Sequence, residues 1–463
     1  MIHPELELRE MASDHRGVFT RNAIRYGETL IRLPLSCAIH GQDMPIEYSV
    51  GQGTKRQAST WLRCLAALYR YQRGNSAKND AYLQSLPHQF ETLWSWSQEE
   101  VDSFLAGTSA CLHVAEIGED RVNSWYIDVA AVEARYQEHV RPYLEQHCQL
   151  NSTYDAFSRA CQIISTRAFH LASASQDYSG PFLLPVIDLL NHSAVDPLTT
   201  LRFEQGAFIM KAEDNIPAHF EIKHSYGTEL TARESLRTFG FVAMEDTLAV
   251  LEGTERYSCS IPVIVAKQDV LEACWNVIES SVPQQLAQSM QEMDLDDEAW
   301  KMPRDYRNRN TDFLPDNIVI RARYPLSDEL VTAASLSFLP LFAYQEVKQF
   351  FLEADILDDY FLGKLVSTSL LRVLSDRMAA YKAIYYEGKE FNDDHELLKL
   401  LLDVKEDLSL QQKRLVYGLT VRLREKQTWT ALRRKVCEIL TQLDDEEEET
   451  EDDNMKRQRM DVT

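Results

Sequence analysis

The apolar residues of this chain change their spacing three times before residue 443, and that alternation limits the folds open to it. Gly17-Val18-Phe19-Thr20 and Thr29–Leu33 are rich in β-branched and apolar residues and read as short strands, with turn chemistry between them at Arg25-Tyr26-Gly27-Glu28. From about 55 to 178 the spacing becomes helical. Trp61, Leu62, Leu65, Leu68 and Tyr69 recur at three and four, as do Val101, Phe104 and Leu105, and Tyr154, Phe157, Cys161, Ile164 and Ala168. At Pro181 the pattern reverts. Phe182–Ile187 predicts a buried strand, Leu198–Lys211 a hairpin around Glu204-Gln205-Gly206, and His219–Ser225 another strand. Glu229–Thr238 predicts a helix with Gly240 just past its end, as a C-cap stands. Beyond about 262 the long periodic runs Leu326–Leu339, Tyr344–Leu352, Lys364–Tyr386, His395–Leu402 and Leu410–Leu443 are helical. The polar stretch Asp294–Phe313 reads as a mobile loop. The predicted class is α+β: a β-rich unit in two parts (1–54 and 179–255) split by a helical insert (55–178), then an all-α domain (256–443).

Charge narrows the partners. The formal net charge is −24, and nine acidic residues crowd between Asp444 and Asp453. Like charges this dense repel, so 444–463 is expected to be a disordered tail. The body is acidic without it. That excludes non-specific nucleic-acid binding, which needs a basic surface, and fits a basic protein partner. The eight cysteines are scattered with no C-x-x-C pair, which points to reduced thiols rather than zinc or disulfides. No apolar run approaches the ~20 residues that span a bilayer, and the first residues lack signal-peptide regions. The expected location is the cytoplasm or nucleus.

The chemistry is concentrated in three places. Pro185-Val186-Ile187-Asp188-Leu189-Leu190 leads into Asn191-His192-Ser193; Ser225-Tyr226-Gly227 follows, then Phe239-Gly240-Phe241-Val242. Together these motifs resemble those of SET-domain methyltransferases of the Rubisco large-subunit methyltransferase type, over roughly residues 1–440. The order of parts is also similar: a β-rich SET domain split by a helical insert, then a helical substrate-binding domain, to which Leu423-Arg424-Glu425-Lys426 contributes a family-like ending.

The resemblance implies S-adenosyl-L-methionine as cofactor and transfer of its methyl group to a protein side-chain nitrogen, usually lysine. By position it implies that Asn191 and His192, with Asp188 in the same motif, bind the cofactor. Arg167 would pair with its carboxylate, as a planar, permanently charged fork can. Tyr226 would be both catalytic and cofactor-binding, and Phe241 would pack against the cofactor or target channel. At the front, Asp14, Arg16 and Gly17 match a segment whose backbone touches the cofactor's amino-acid end. No metal site is implied. Each residue also has a plain structural reading: a surface turn at Asn191-His192, a solvent-facing helical Arg167, and core aromatics at Tyr226 and Phe241.

The chain departs from the family at two places. His15 replaces a glycine, and Ala218-His219-Phe220 stands where relatives have Ala-Gly-Glu, so an altered turn is expected there. Ala168-Phe169 after Arg167 resembles lysine-directed members, whereas a histidine-directed relative has polar amides. No cysteine-rich segment follows Phe241, which points to a non-histone protein substrate. A histidine methyltransferase and a SET-fold binding module without turnover stay open as alternatives.

Overall fold

Alternating apolar residues draw the two separated β segments of the sequence into one sheet. In the computed structural model, Thr29–Pro34 pairs antiparallel with Ala207–Ala212, which pairs with Thr199–Glu204. Leu30, Ile31, Phe208 and Met210 are buried, and with Ile24, Leu184, Ile187 and Ile222 they form one core. The hairpin turns at Gln205 and Gly206, both at positive φ (50° and 72°), the pair of angles that matches a two-residue turn to the twist of its strands. The structure describes residues 1–10, 16–50, 54–73, 77–87, 90–111, 132–134, 136–149, 152–171, 180–193, 197–227, 230–253, 261, 263–277, 311, 314–315, 317–336, 360–403 and 407–460.

Two compact units result. One comprises Met1–Gln98 with Leu112–Met244; the other comprises Glu99–Cys111 with Glu245–Thr463. In the first, the insert supplies the helices Thr60–Arg73 and Tyr154–Arg167, whose buried faces meet through Trp61, Leu65, Leu68, Phe157, Cys161 and Ile164. Three expectations need correction. A strand at Thr54–Gln57 pairs with Glu47–Val50 across the expected start of the insert. The strand at Phe182 stops at Leu183 and gives way to a single 3-10 turn, Ile187–Leu189. Pro185 has no N–H to donate to a ladder, so the pairing cannot run on. Of His219–Ser225, only Lys223–His224 pairs as a strand. His219 instead holds φ at 61°, the left-handed geometry that a glycine adopts freely, and so forms the altered turn.

The second unit is mainly helical, as expected, with helices Asp328–Ser335, Tyr360–Ala379, Asp394–Leu402 and Leu410–Met460. It also contains two antiparallel strand pairs, the second of them a hairpin, that the periodicity missed. Val263–Ala266 pairs with Asn317–Ile320, and Ile384–Tyr386 pairs with Lys389–Phe391. Glu387 and Gly388 turn this hairpin at positive φ, which ends the helical reading of Lys364–Tyr386 at Ala379. The acidic run, expected to be disordered, continues the last helix to Met460. Leu432, Val436 and Leu443 are buried upstream, so the helix is already nucleated, and each added Glu is a good helix former. The Tyr344–Leu352 helix lies outside the described residues, as does the Asp294–Phe313 loop apart from Thr311.

Part of the sequence insert packs into this second unit through a buried polar network. Glu425 accepts hydrogen bonds from Ser109 N (2.9 Å), from the Ser109 hydroxyl and from Tyr381 Oη (3.0 Å). Arg422 pairs with Asp394 at 2.8 Å and donates to Ala106 O and Lys382 O. Among the described residues no helix is long and apolar enough to cross a membrane.

Gly240 caps the helix Ala232–Phe239, whose start is closed by a capping box between Thr231 and Glu234. It sits at φ 80°, and a Cβ there would lie 1.8 Å from Glu91 O. Gly240→Ala therefore meets a left-handed penalty of about 1–2 kcal/mol and an overpacking penalty of about 1–3 kcal/mol. Chemical denaturation of the variant is expected to show a loss of roughly 3 kcal/mol; a loss under about 0.5 kcal/mol would show that Glu91 yields freely.

Candidate active site

The site is assembled where the Tyr154–Arg167 helix ends. Thr153 caps that helix by accepting from Ala156 N, and the chain leaves it at Ala168 in an extended conformation. Ala168–Phe169 then pairs with Phe182–Leu183, so Arg167 is held beside the turn that follows Pro185. Arg167 Nη1 donates to Asp188 O at 2.8 Å. The next residues, Asn191–His192, form a parallel pair with Lys223–His224. That pairing delivers Tyr226 to the same place: Tyr226 N donates to His192 Nδ1 at 3.1 Å, and Tyr226 Oη donates to Leu190 O at 2.7 Å.

Arg167, Asp188 and Tyr226 share the wall of a cavity of about 380 Å³, whose apolar side includes Trp61, Phe169 and Phe239. Arg167 Nε and Asp188 Oδ1 are buried polar atoms with no hydrogen-bond partner among the described residues. Unpartnered buried groups of this kind are costly, and here a donor and an acceptor of opposite charge stand on one cavity wall. Tyr82 Oη donates to the other carboxylate oxygen, Asp188 Oδ2, at 2.9 Å. Burial pushes the Asp188 carboxyl up to about 6, against the pull of Arg167 and the Tyr82 hydrogen bond. Burial likewise pushes the Tyr226 phenol up to about 12, with Arg167 opposing it, so Tyr226 is a neutral phenol at ordinary pH.

The remaining expected residues lie beside this wall. Asn191 Nδ2 donates to Arg16 O (3.0 Å) and to Glu221 Oε1 (2.7 Å). Both partners are acceptors, which fixes the amide's orientation. Gly17 is packed so closely that a Cβ would lie 2.6 Å from Glu221 Oε1 and 3.2 Å from Asn191 Nδ2. The His192 ring stands 5.1 Å from Tyr226 and 6.0 Å from Phe241. Phe239 packs on Tyr226 at 4.8 Å. Asp14 and His15 lie outside the described residues. Sequence reasoning missed Tyr82, Glu221 and Phe239. Glu221 follows the altered Ala218-His219-Phe220 turn and was open to inference from it; nothing in the insert's periodicity singles out Tyr82.

No protein-family model matches the chain. Among curated proteins it is similar to N-lysine methyltransferase SETD6 of Homo sapiens, 23% identical over 242 residues, which cover 49% of this chain and 48% of that protein. It is also similar to SET domain-containing protein 8 of Schizosaccharomyces pombe, 23% identical over 290 residues, covering 56% of this chain and 62% of that protein. The matched stretch thus spans about half to three-fifths of these relatives. In solved structures the likeness extends over 95% of the chain. The SET domain of LSMT bound to lysine and AdoHcy superposes with a TM-score of 0.61 at 13% identity, over 88% of that chain. Rubisco LSMT bound to AdoMet gives 0.59 at 15% identity, over 89%. The chain therefore has the fold of these SET-domain structures of the Rubisco LSMT type.

The raised Asp188 carboxyl has a measurable consequence. The unfolded chain releases this proton near its ordinary 3.8, whereas the fold keeps it to about 6. Protonated Asp188 therefore stabilises the fold at low pH, and that contribution is lost as pH rises through about 6. Asp188→Asn cannot titrate. Relative to wild type, the variant is expected to gain up to about 3 kcal/mol between pH 4 and pH 6 and to stay level above that. A stability difference that is flat across this window would show that Asp188 ionises at its ordinary value.

Proposed function

We propose that this chain is an S-adenosylmethionine-dependent protein-lysine N-methyltransferase that acts on a non-histone protein. The observation that carries the reading is the pair of orphaned buried atoms, Arg167 Nε and Asp188 Oδ1, on the cavity wall that also holds Tyr226. Two further facts support it. Relatives from human and Xenopus laevis carry the name N-lysine methyltransferase, and fold neighbours were solved with lysine, methyl-lysine, AdoHcy or AdoMet.

The donor set fits such a cofactor. Arg167 brings a guanidinium with an unused N–H to a carboxylate. Asn191, oriented by its hydrogen bonds to Arg16 O and Glu221, brings a polar amide of the kind that binds a cofactor's amino-acid end. The bare Cα of Gly17 lets the backbone approach closely, and His192 with Phe241 supplies aromatic surface. When bound, the cofactor supplies an electrophilic methyl group on a sulfonium. Tyr226, a protonated phenol whose hydrogen is committed to Leu190 O, presents its oxygen lone pairs as an acceptor. Trp61, Phe169 and Phe239 give the cavity an apolar side. Such a wall desolvates an incoming ammonium, lowers its pKa from ~10.4 and so favours the free amine that can attack. Positioning supplies the rest of the rate. Ala168 and Phe169 offer no amide to hold an imidazole, which supports lysine over histidine. The helical second unit is the proposed site of protein substrate presentation.

A thermal melt with S-adenosylmethionine tests the cofactor site without a substrate. At 100 times its dissociation constant the ligand should stabilise by ~2.7 kcal/mol. Arg167→Ala and Asn191→Ala are expected to abolish the shift. Tyr226→Phe is expected to keep it while lowering methyl transfer on the order of 100-fold. No wild-type shift at millimolar ligand would overturn the proposal.

A further inference from the structure

His224 ends the short strand Lys223–His224, two residues before Tyr226. Both line the 380 Å³ cavity. The His224 ring is held on one edge: its Nδ1 lies 3.3 Å from Thr199 O and 3.2 Å from Thr199 Oγ1. A carbonyl oxygen only accepts, so Nδ1 carries the hydrogen and Nε2 bears the lone pair. Nε2 has no hydrogen-bond partner among the described residues, and it is not among the fully buried orphan atoms. Phe169 lies against the ring at 6.2 Å. The ionisable groups around it are His192 on the paired strand, Lys223 beside it in the same strand, and His170, Arg167, Asp188 and Tyr226 on the same cavity. Burial, with His192 adding to it, holds the imidazole below its ordinary range, so Nε2 stays an acceptor at neutral pH.

We infer that His224 Nε2 is a positioning acceptor for the target amine, and that it limits how many methyl groups the amine receives. The inference rests on the lysine methyltransferase reading above. Each transfer forms an N–C bond with the amine lone pair, breaks the sulfonium C–S bond and releases one proton to water. An unmethylated amine can attack while it donates one N–H to Nε2. A monomethyl amine can do the same. A neutral dimethyl amine has no N–H left, so the third transfer proceeds without the orienting hydrogen bond. Wild type is therefore expected to stop largely at dimethyl-lysine.

Nα-acetyl-lysine N-methylamide is the probe, with product counts by mass spectrometry and His224 followed by 15N NMR in the presence of S-adenosylhomocysteine. The expected free state is the Nδ1–H tautomer, with the Nε2 resonance moving when the probe is added. His224→Leu should keep the cofactor-induced melting shift, lower kcat/KM for the probe about fivefold to tenfold, and raise the trimethyl share. His224→Gln, whose terminal amide reaches the Nε2 position, should recover the wild-type product pattern. An Nε2–H tautomer would overturn the inference, and so would an unchanged product pattern in His224→Leu that still turns over. Absence of any cofactor shift or any probe methylation in wild type would instead strike the lysine methyltransferase reading on which it rests.

Discussion

The hydrogen bond from Arg167 to the Asp188 carbonyl joins the two stretches of sequence that make the site. Arg167 is the last residue of a helix in the insert, and Asp188 lies in the turn that leads to Asn191 and His192. Between them stand the Ala168–Phe169 and Phe182–Leu183 pair and residues outside the described set. A guanidinium can serve both ends at once because it carries five donors in a plane. One nitrogen secures the turn while Nε stays unpartnered. The same charge restrains the rise of the Asp188 carboxyl and of the Tyr226 phenol. Geometry and electrostatics of the cavity wall thus trace to one side chain.

The backbone around this contact is forced into unusual conformations. Val186 holds φ at 74°, a region that costs a β-branched residue about 1–3 kcal/mol. Its neighbours offset that cost, since Leu184, Ile187 and Leu190 are all buried in the sheet-side core. The strained turn aims Asp188 inward and releases Asn191 into the parallel pair with Lys223. At the other edge, Gly240 lets the chain leave a capped helix against Glu91 and brings Phe239 against the Tyr226 ring and Phe241 against the His192 ring.

The second unit is held by a different principle. Arg422, Arg424, Glu425 and Asp394 are almost wholly buried. Buried charges are tolerated only when paired and hydrogen-bonded. Asp394 meets both Arg422 and Lys426, and Glu425 meets Ser109 and Tyr381. These contacts draw Glu99–Cys111 out of the insert and into the helical unit, a placement that apolar spacing has no means of encoding. The family-like Leu423-Arg424-Glu425-Lys426 ending therefore has a structural job: Glu425 holds Ser109 and Tyr381, and Lys426 pairs with Asp394.

Periodicity in the sequence determined the local elements: the Thr29 and Ala207 strands, the Gln205-Gly206 turn, the Tyr154–Arg167 helix and the Gly240 cap. These depend on near neighbours, on side-chain alternation and on residues with special φ, so they are written in short windows of sequence. Asn191, His192, Arg167 and Tyr226 were legible only as a spaced set through family resemblance, because no one of them has a distinctive neighbourhood. Tertiary structure alone decided the rest. It set Tyr82 on Asp188, Glu221 on Asn191 and His224 against Thr199. Two of these contacts, Tyr82–Asp188 and Glu221–Asn191, join residues 106 and 30 positions apart. Long-range polar pairing leaves no period in a sequence, because it is selected by the shape that the apolar residues build first.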